Sequence, residues 1–502
     1  MQIDFSNQLH YFWALLPETV LIVCALLLLV VDGFWKGRKG PGRAVGSLSL
    51  VALALAAAAN YWLLGVAEVG TTGAVAIDSY RIFTNFIFLG AAALTVLISF
   101  DYVAREGIDL GEYYILLLFC VVGMMLLAAS RDLILIFLGF ELMSFAAYVL
   151  TAFKRDDPKS SEAGLKYFLL GAFSSAFLVY GMALIFGAGG TTNLGVLREI
   201  LVAGDISPML AGGIVLLTIG FAFKVSAVPF HVWTPDAYEG APTPFTAFMA
   251  TAIKAGAFAA FIRIFVIAFG DLHIYWERSI WWLAVLTMIV PNLIALVQDD
   301  IKRLLAYSSI AHAGYLLVAL ISANESGMAS FLFYLVAYTV MTIGAFAIVL
   351  VIAGKNDRLQ RIRDYSGLGW THPWPAAMLA LFLVSLAGLP PTGGFIGKFY
   401  ILRASIEAGY PNLAVILAFA TLVSYWYYLR VIVSMYMRTA ESPLPRLEWS
   451  GSLRTAVAIC ALITVFLGLL PSWPLLKAQQ SVEGLVRVTE RVSDSFGVVA
   501  QR

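Results

Sequence analysis

The stretch Phe221-Ala-Phe-Lys224-Val-Ser-Ala-Val-Pro229-Phe-His231-Val-Trp-Thr-Pro235-Asp236 decides how the rest of the chain is read. It closes an apolar run that begins near residue 208, and it sets a lysine well inside that run. Proline lacks the backbone donor and clashes with the preceding turn, so Pro229 and Pro235 break a helix and free its carbonyls. In hydrocarbon, freed carbonyls are tolerated only where protein or water satisfies them. A lysine beside such a break can reach a hydrated cavity; the alternative is a kink with a snorkelling lysine.

Outward from this stretch the chain is greasy throughout. Of 502 residues, 61% are hydrophobic and 13% charged, against about 25% charged in an ordinary soluble domain. Apolar runs fall at 11–32, 44–65, 78–100, 112–129, 132–153, 162–189, 208–230, 243–269, 277–298, 301–321, 326–353, 373–403, 411–434 and 454–470. Their lengths suit helices crossing a ~30 Å hydrocarbon layer, and barrel-type alternation is absent. The predicted class is an all-α membrane protein of about fourteen transmembrane helices. A soluble enzyme and a disordered chain are excluded. A net charge of +1 with no basic block argues against nucleic-acid binding.

Cofactor chemistry finds no support. Cys24, Cys120 and Cys460 lie far apart inside apolar runs, no His-x-x-x-His pair occurs, and no phosphate-cradling glycine motif is present. Gly187-Ala-Gly-Gly190 reads as a flexible span end. No cofactor or metal is therefore expected on this chain. The first run, Leu15 to Val31, lacks a basic flank before it and reads as a retained helix.

Loop charge sets the orientation. With the N-terminus outside, the inside loops hold seventeen of the 32 Lys and Arg, among them Lys36, Arg38, Lys39, Lys154, Lys302, Arg303 and Arg446. The outside loops and tail hold eight, including Lys477, Arg487, Arg491 and Arg502. Both termini then face outward. The tail after Pro471, with Leu485, Val486, Val488 and Val492, reads as solvated or partner-packed, with a surface helix as the alternative.

Seven basic residues remain within spans. Arg81, Arg263 and Arg430 sit near span ends or aromatic residues, where snorkelling accounts for them. Lys166, Lys224, Lys254 and Lys398 are harder to place, since a charge at helix centre costs ~2.5–3.5 kcal/mol on insertion scales. Intramembrane charges usually mark ion or proton pathways. Glu141, alone in its span, is expected to pair with a lysine of a neighbouring helix, Lys166 being next in sequence; the alternative is a structural ion pair. Lys254 lies among small residues with no snorkelling route, or is tied to a backbone carbonyl. Lys398 follows a second break at Pro390, Pro391, Gly393 and Gly394. His312, flanked by Ser308, Ser309 and Tyr315, suits a connector between Lys254 and Lys398, or is a packing residue. Glu18 reads as interfacial, Asp32 as paired with the basic loop beside it, and Asp236 and Glu239 as solvated, with help in proton capture as the alternative.

The breaks also repeat. Spans four to eight (112–269) and nine to thirteen (270–434) each hold five helices, with the fourth broken and lysine-bearing. Five is odd, so the second unit is expected to be inverted. A three-helix segment (1–111) precedes the units, and a last span with its tail (435–502) follows.

Two motifs carry a family resemblance. Phe221 through Pro244, and Leu386-Ala-Gly-Leu-Pro-Pro-Thr-Gly-Gly-Phe-Ile-Gly-Lys398-Phe, resemble the signatures of the antiporter-like subunits of respiratory complex I, NADH-quinone oxidoreductase. That family groups with Mrp-type cation/proton antiporters. No length remains here for the long lateral helix of its largest members, and Lys398 stands where another member type carries Glu. The resemblance implies a bacterial inner-membrane subunit, packed among other membrane subunits, that pumps protons outward through Glu141, Lys224, Lys254 and Lys398. It implies that NADH, FMN, iron–sulfur clusters and quinone sit on partner subunits. An Mrp-type antiporter subunit and a non-conducting anchor are the competing readings.

Overall fold

The computed structural model describes residues 2–35, 41–69, 73–202, 206–439, 447, 449–483 and 485. Twelve helices among these are long and apolar enough to span a membrane, and two shorter apolar ones accompany them. In chain order they are α1 (Leu16–Trp35), α2 (Pro41–Trp62), α3 (Ser79–Arg105), α4 (Gly111–Ala129), α5 (Leu133–Thr151) and α6 (Pro158–Gly189). The broken α7a (Pro208–Lys224) and α7b (Thr234–Gly240) follow, then α8 (Thr243–Ala268), α9 (His273–Ala295), α10 (Ile301–Ser322) and α11 (Glu325–Ala353). The second broken pair is α12a (Pro373–Ala387) and α12b (Gly393–Glu407), before α13 (Pro411–Met437) and α14 (Gly451–Leu469). Counting each broken pair once gives the fourteen crossings expected from the sequence.

Polar side chains set the helix starts. Asp78, Asp132, Asp157, Ser207, Asp300, Asn324 and Ser450 each accept a bond from a first-turn N–H, which satisfies donors that hydrocarbon would leave bare. Gly190 and Gly388 end α6 and α12a in the left-handed region that a Cβ disfavours. Lys224 is the last residue of α7a, so the helix stops earlier than residue 230.

Loops alternate between two faces, as the charge count requires. On the basic-loop face, Lys154 meets Glu106 at 2.9 Å, Tyr102 bonds Asp357 at 2.8 Å, and Asp300 bridges to Arg361. On the second face, Arg263 meets Asp78 at 2.7 Å, Arg198 meets Asp271 at 2.6 Å, and Val75 bridges to Ser130. Lys36, Arg38, Lys39, Arg446, Arg487, Arg491 and Arg502, with Val486, Val488 and Val492, lie outside the described residues.

Two features were not anticipated, and a third, the tail helix, was only the alternative reading. Gln2–Asp4 and Ala67–Val69 pair as a small parallel sheet on the second face. Leu194–Val202 forms a short helix between α6 and α7a. Residues 472–483 are helical, and Val482 and Leu485 are buried rather than solvated. The centre of the molecule is α8, α10 and α11, whose apolar windows are almost wholly buried.

Candidate functional site

Each broken helix offers carbonyls that the helix itself no longer uses, and an ammonium group collects them. Lys398, in the second turn of α12b, donates to Leu386 O at 2.8 Å and Ala387 O at 3.0 Å, the carboxyl end of α12a. A cation is favoured there by both free acceptors and the helix dipole. Lys302, in the first turn of α10, does the same for α7b, donating to Glu239 O and Ala241 O at 2.9 Å each. The sequence placed Lys302 among exposed loop charges. The structure buries it completely, 3.8 Å from Asp357. Burial alone would raise the Asp357 carboxyl, but Lys302 and Lys154 outweigh it and hold it below the usual carboxylate range.

Lys224 closes α7a on the opposite side of its break from Lys302. Its Nζ donates to Ser144 Oγ of α5 at 2.6 Å. The Phe140, Tyr148 and Tyr167 ring centroids lie 5.0, 5.3 and 5.3 Å from it, which suits a cation. Glu141 is not its ion-pair partner. Among the described residues the carboxylate makes no salt bridge, and its buried Oε1 has no hydrogen-bond partner. Ser144, one turn further along α5, takes the ammonium instead. Lys166 does not pair with Glu141 either. It sits partly exposed, 2.7 Å from Asp236 and 2.8 Å from Glu162. Asp236 and Glu239 are also not simply solvated. Both meet Arg303, at 2.9 and 2.8 Å, and Glu239 meets Lys159 at 3.1 Å. The network ties α7b to α6 and α10.

The centre belongs to Lys254. It follows a π-helical turn, Met249–Ile253, in α8, a distortion common at functional sites. Its Nζ donates to Ser309 O at 2.9 Å and Ser309 Oγ at 2.6 Å. Tyr338 OH donates to the same Oγ at 2.8 Å. One turn on in α10, His312 Nδ1 lies 2.6 Å from Tyr334 OH and Nε2 lies 3.2 Å from Tyr428 OH. Tyr428 OH in turn bonds Ser308 Oγ. The Tyr315 ring packs 5.3 Å from His312, with Lys398 Nζ 4.9 Å from its centroid. His312 thus stands between Lys254 and Lys398, in a cluster of hydroxyls drawn from α10, α11 and α13. Toward Lys224 the link is aromatic. Tyr167 stacks on Trp233 at 4.2 Å, Trp233 lies 6.5 Å from Tyr238, and Tyr238 lies 5.8 Å from Lys254 Nζ.

Two arginines expected to snorkel are instead fully buried. Arg81 meets Glu18 at 2.8 Å, and Glu18 is itself 1% exposed rather than interfacial. Arg263 binds Asp78 with two nitrogens, at 2.7 and 2.9 Å. Arg430 donates to Leu296 O and Gln298 O. The hydroxyl partners Ser144, Tyr334, Tyr338 and Tyr428 were missed in the sequence. Only Ser144 had a signal, its three-residue spacing from Glu141.

Comparison with known proteins identifies the family. Residues 130–424 match the family model described as NADH:quinone oxidoreductase/Mrp antiporter, transmembrane. The chain belongs to this family. The NADH-quinone oxidoreductase subunit N of Trichlorobacter lovleyi is 46% identical over 471 residues, covering 93% of this chain and 96% of that protein. Subunit N 1 of Solibacter usitatus is 43% identical over 94% of this chain and 97% of its own length. A chain in the respiratory complex I of Thermus thermophilus with bound aureothin superimposes with a TM-score of 0.78 at 34% identity, covering 93% of this chain and all of that one. A chain of the Mrp complex from Dietzia shares the fold, at 19% identity and a TM-score of 0.81 over 93% of this chain and 97% of that one. The chain is an antiporter-like membrane subunit of the subunit N type.

Proposed function

We propose that this subunit translocates protons outward across a bacterial inner membrane, driven by electron transfer in the other subunits of NADH-quinone oxidoreductase. One observation carries the reading. Two buried hydrogen-bonded groups, Lys254–Ser309–Tyr338 and Tyr334–His312–Tyr428, meet where the His312 and Tyr338 rings pack 5.0 Å apart, and together they lead toward Lys398. Side chains of this kind accept and return protons, and an intramembrane row of them is costly unless used. Buried Tyr148, Tyr167 and Tyr315 hydroxyls that have no hydrogen-bond partner among the described residues flank the lysines; such groups are ordinarily satisfied by ordered water.

In this reading Lys224 receives protons on the side of Ser144 and Glu141, Lys254 holds the centre, and Lys398 delivers them. The two five-helix units act as inverted halves, so the breaks at α7a–α7b and α12a–α12b serve opposite faces. The second face, with both termini, is periplasmic. NADH, FMN, iron–sulfur clusters and quinone belong to partner subunits. Movement of α12a relative to α12b would strip the Leu386 and Ala387 carbonyls from Lys398 and make its ammonium release a proton.

The test is the intact complex, carrying Lys254→Met, reconstituted in vesicles. Proton uptake is measured per NADH oxidised. Loss of pumping in a fully assembled complex supports the reading. Unchanged pumping shows an anchor. Cation-for-proton exchange without NADH shows an Mrp-type antiporter.

A further inference from the structure

On the basic-loop face, away from the lysine row, one carboxylate oxygen gathers four elements. Asp357 Oδ2 accepts from Tyr102 OH of α3 at 2.8 Å and from Thr243 Oγ1 at the start of α8 at 3.0 Å. The same oxygen lies 3.6 Å from Lys154 Nζ, in the α5–α6 turn, and 3.8 Å from Lys302 Nζ of α10. The two lysines differ in what else they have. Lys154 meets a second carboxylate, Glu106, at 2.9 Å. Lys302 is fully buried, and among the described residues Asp357 is its one carboxylate within 4.0 Å.

Asp357 belongs to the loop between α11 and α12a, and that loop is tied down at two further points. Glu106 accepts the Asn356 N–H with both oxygens, at 3.0 and 3.1 Å. Residues 360–362 run antiparallel to 299–301, with Ile301 N–H donating to Gln360 O and Ile362 N–H to Asp299 O, each at 2.8 Å. Asn356 and Asp357 have φ of 59° and 48°, a left-handed conformation that persists in non-glycine residues where the surroundings over-determine it. The turn that presents Asp357 is therefore held from several sides.

Lys302 in turn donates to Glu239 O and Ala241 O, the carboxyl end of α7b. One line of contacts runs from the loop that enters the second broken helix, through Asp357 and Lys302, to the second half of the first broken helix. The carbonyls orient the ammonium but carry no net charge. Taking away the one carboxylate would leave a buried charge uncompensated, which is strongly destabilising.

We propose that Asp357 is a positioning residue that acts through Lys302 to hold α7b, and that it links the two helix breaks across the basic-loop face. Displacement of the 354–367 loop as α12a moves takes the counter-charge from Lys302 and loosens α7b, so one break responds to the other. The role of this link in pumping rests on the translocation reading above; the link itself does not.

The experiment measures amide hydrogen exchange in the intact complex, held in lipid nanodiscs without NADH. Peptides covering residues 234–241 report on α7b, and peptides from α14 report on the fold. Asp357→Asn keeps the side chain's size and an acceptor oxygen for Tyr102 and Thr243 but removes the charge. It is expected to speed exchange in α7b about tenfold or more, the scale of one lost hydrogen bond to a charged group, and to leave α14 unchanged. Asp357→Glu keeps the charge and should return α7b to within about twofold of the wild-type rate. Adding Lys302→Met to Asp357→Asn should give no further rise. Proton uptake per NADH oxidised, read on the same complexes in vesicles, should fall in Asp357→Asn and recover in Asp357→Glu.

Wild-type exchange of α7b in Asp357→Asn overturns the proposal. So does exchange in Asp357→Glu as fast as in Asp357→Asn, because shape rather than charge would then be what matters. Wild-type pumping by Asp357→Asn, beside lost pumping by Lys254→Met, also overturns it. Normal pumping by Lys254→Met would instead remove the translocation reading, and the exchange rates would still decide the link. If Asp357→Asn alone does not assemble, the neutral pair Asp357→Asn/Lys302→Met decides. Its assembly shows that the carboxylate's task is to balance Lys302, and its failure to assemble overturns the proposal.

Discussion

Lys254 and Ser309 meet through both acceptors of the serine, its carbonyl at 2.9 Å and its hydroxyl at 2.6 Å. The ammonium of a wholly buried helix is thereby solvated by a second helix, and the same hydroxyl receives Tyr338. A charge held this way is neither exposed nor locked by a carboxylate. Its proton has a neighbour to pass through, and that neighbour's other partner, Tyr338, packs its ring 5.0 Å from His312.

Ser309→Ala keeps the carbonyl and removes the shared hydroxyl. A hydrogen bond to a charged group contributes ~1.5–3 kcal/mol, so the variant is expected to pump about 10- to 100-fold more slowly. Lys254→Met is expected to abolish pumping in an assembled complex. Dye quenching in proteoliposomes, recorded beside quinone reduction, checks both. Normal pumping by Lys254→Met would sink the relay.

The pair Asp78–Arg263 predicts an acid limit on stability. Burial pushes the Asp78 carboxyl up, and the Arg263 guanidinium more than reverses this, leaving it at about 2. The folded value lies below the unfolded one of ~3.9. The pair's contribution, ~2 kcal/mol, is therefore complete above about pH 4 and is lost as pH falls toward 2. Asp78→Asn removes that slope and leaves Arg263 buried without a counter-charge, at about 3–5 kcal/mol. Unfolding in detergent micelles between about pH 2 and 7 reads both effects. An Asp78→Asn variant with the wild-type acid slope would refute the assignment.

The sequence carried the breaks and the lysines plainly, because proline and lysine inside an apolar run are rare and costly. Fourteen crossings and their alternation followed from hydropathy and loop charge alone. Partners were another matter. Glu18 lies 63 residues before Arg81, and Ser144 lies 80 before Lys224. Those pairings are created by helix packing, and no local spacing announces them. Lys302 looked like one more basic loop residue. It is buried because α7b ends against it, and because the 354–367 loop brings Asp357 over it.

Gly394 tests the second break. Its N–H donates to Ser385 Oγ at 3.2 Å, and a Cβ there would overlap the Ser385 carbonyl. Gly394→Ala therefore pushes α12b off α12a and draws Lys398 from the Leu386 and Ala387 carbonyls. A loss of about 1–3 kcal/mol is expected from the overpacking alone, together with loss of pumping. Gly451→Ala, where a Cβ meets nothing within 4 Å, is the matched control and should change neither thermal stability nor pumping. Wild-type behaviour of Gly394→Ala would mean that the tight approach of the two half-helices is unnecessary.

Glu141 and Ser144 share a face of α5, but only Ser144 bonds Lys224. The carboxylate lies near enough to act on Lys224 through its charge. If both residues work through the one lysine, their effects overlap. Glu141→Gln and Ser144→Ala should each slow pumping severalfold, and the double variant should lose less than the two losses combined. Contacting residues in one network typically show an interaction energy of ~0.5–3 kcal/mol in such a cycle. Independent residues add within about 0.5 kcal/mol. Additive losses would place Glu141 on a separate route, facing whatever packs against its half-buried side, and Lys224 would then depend on the hydroxyl alone.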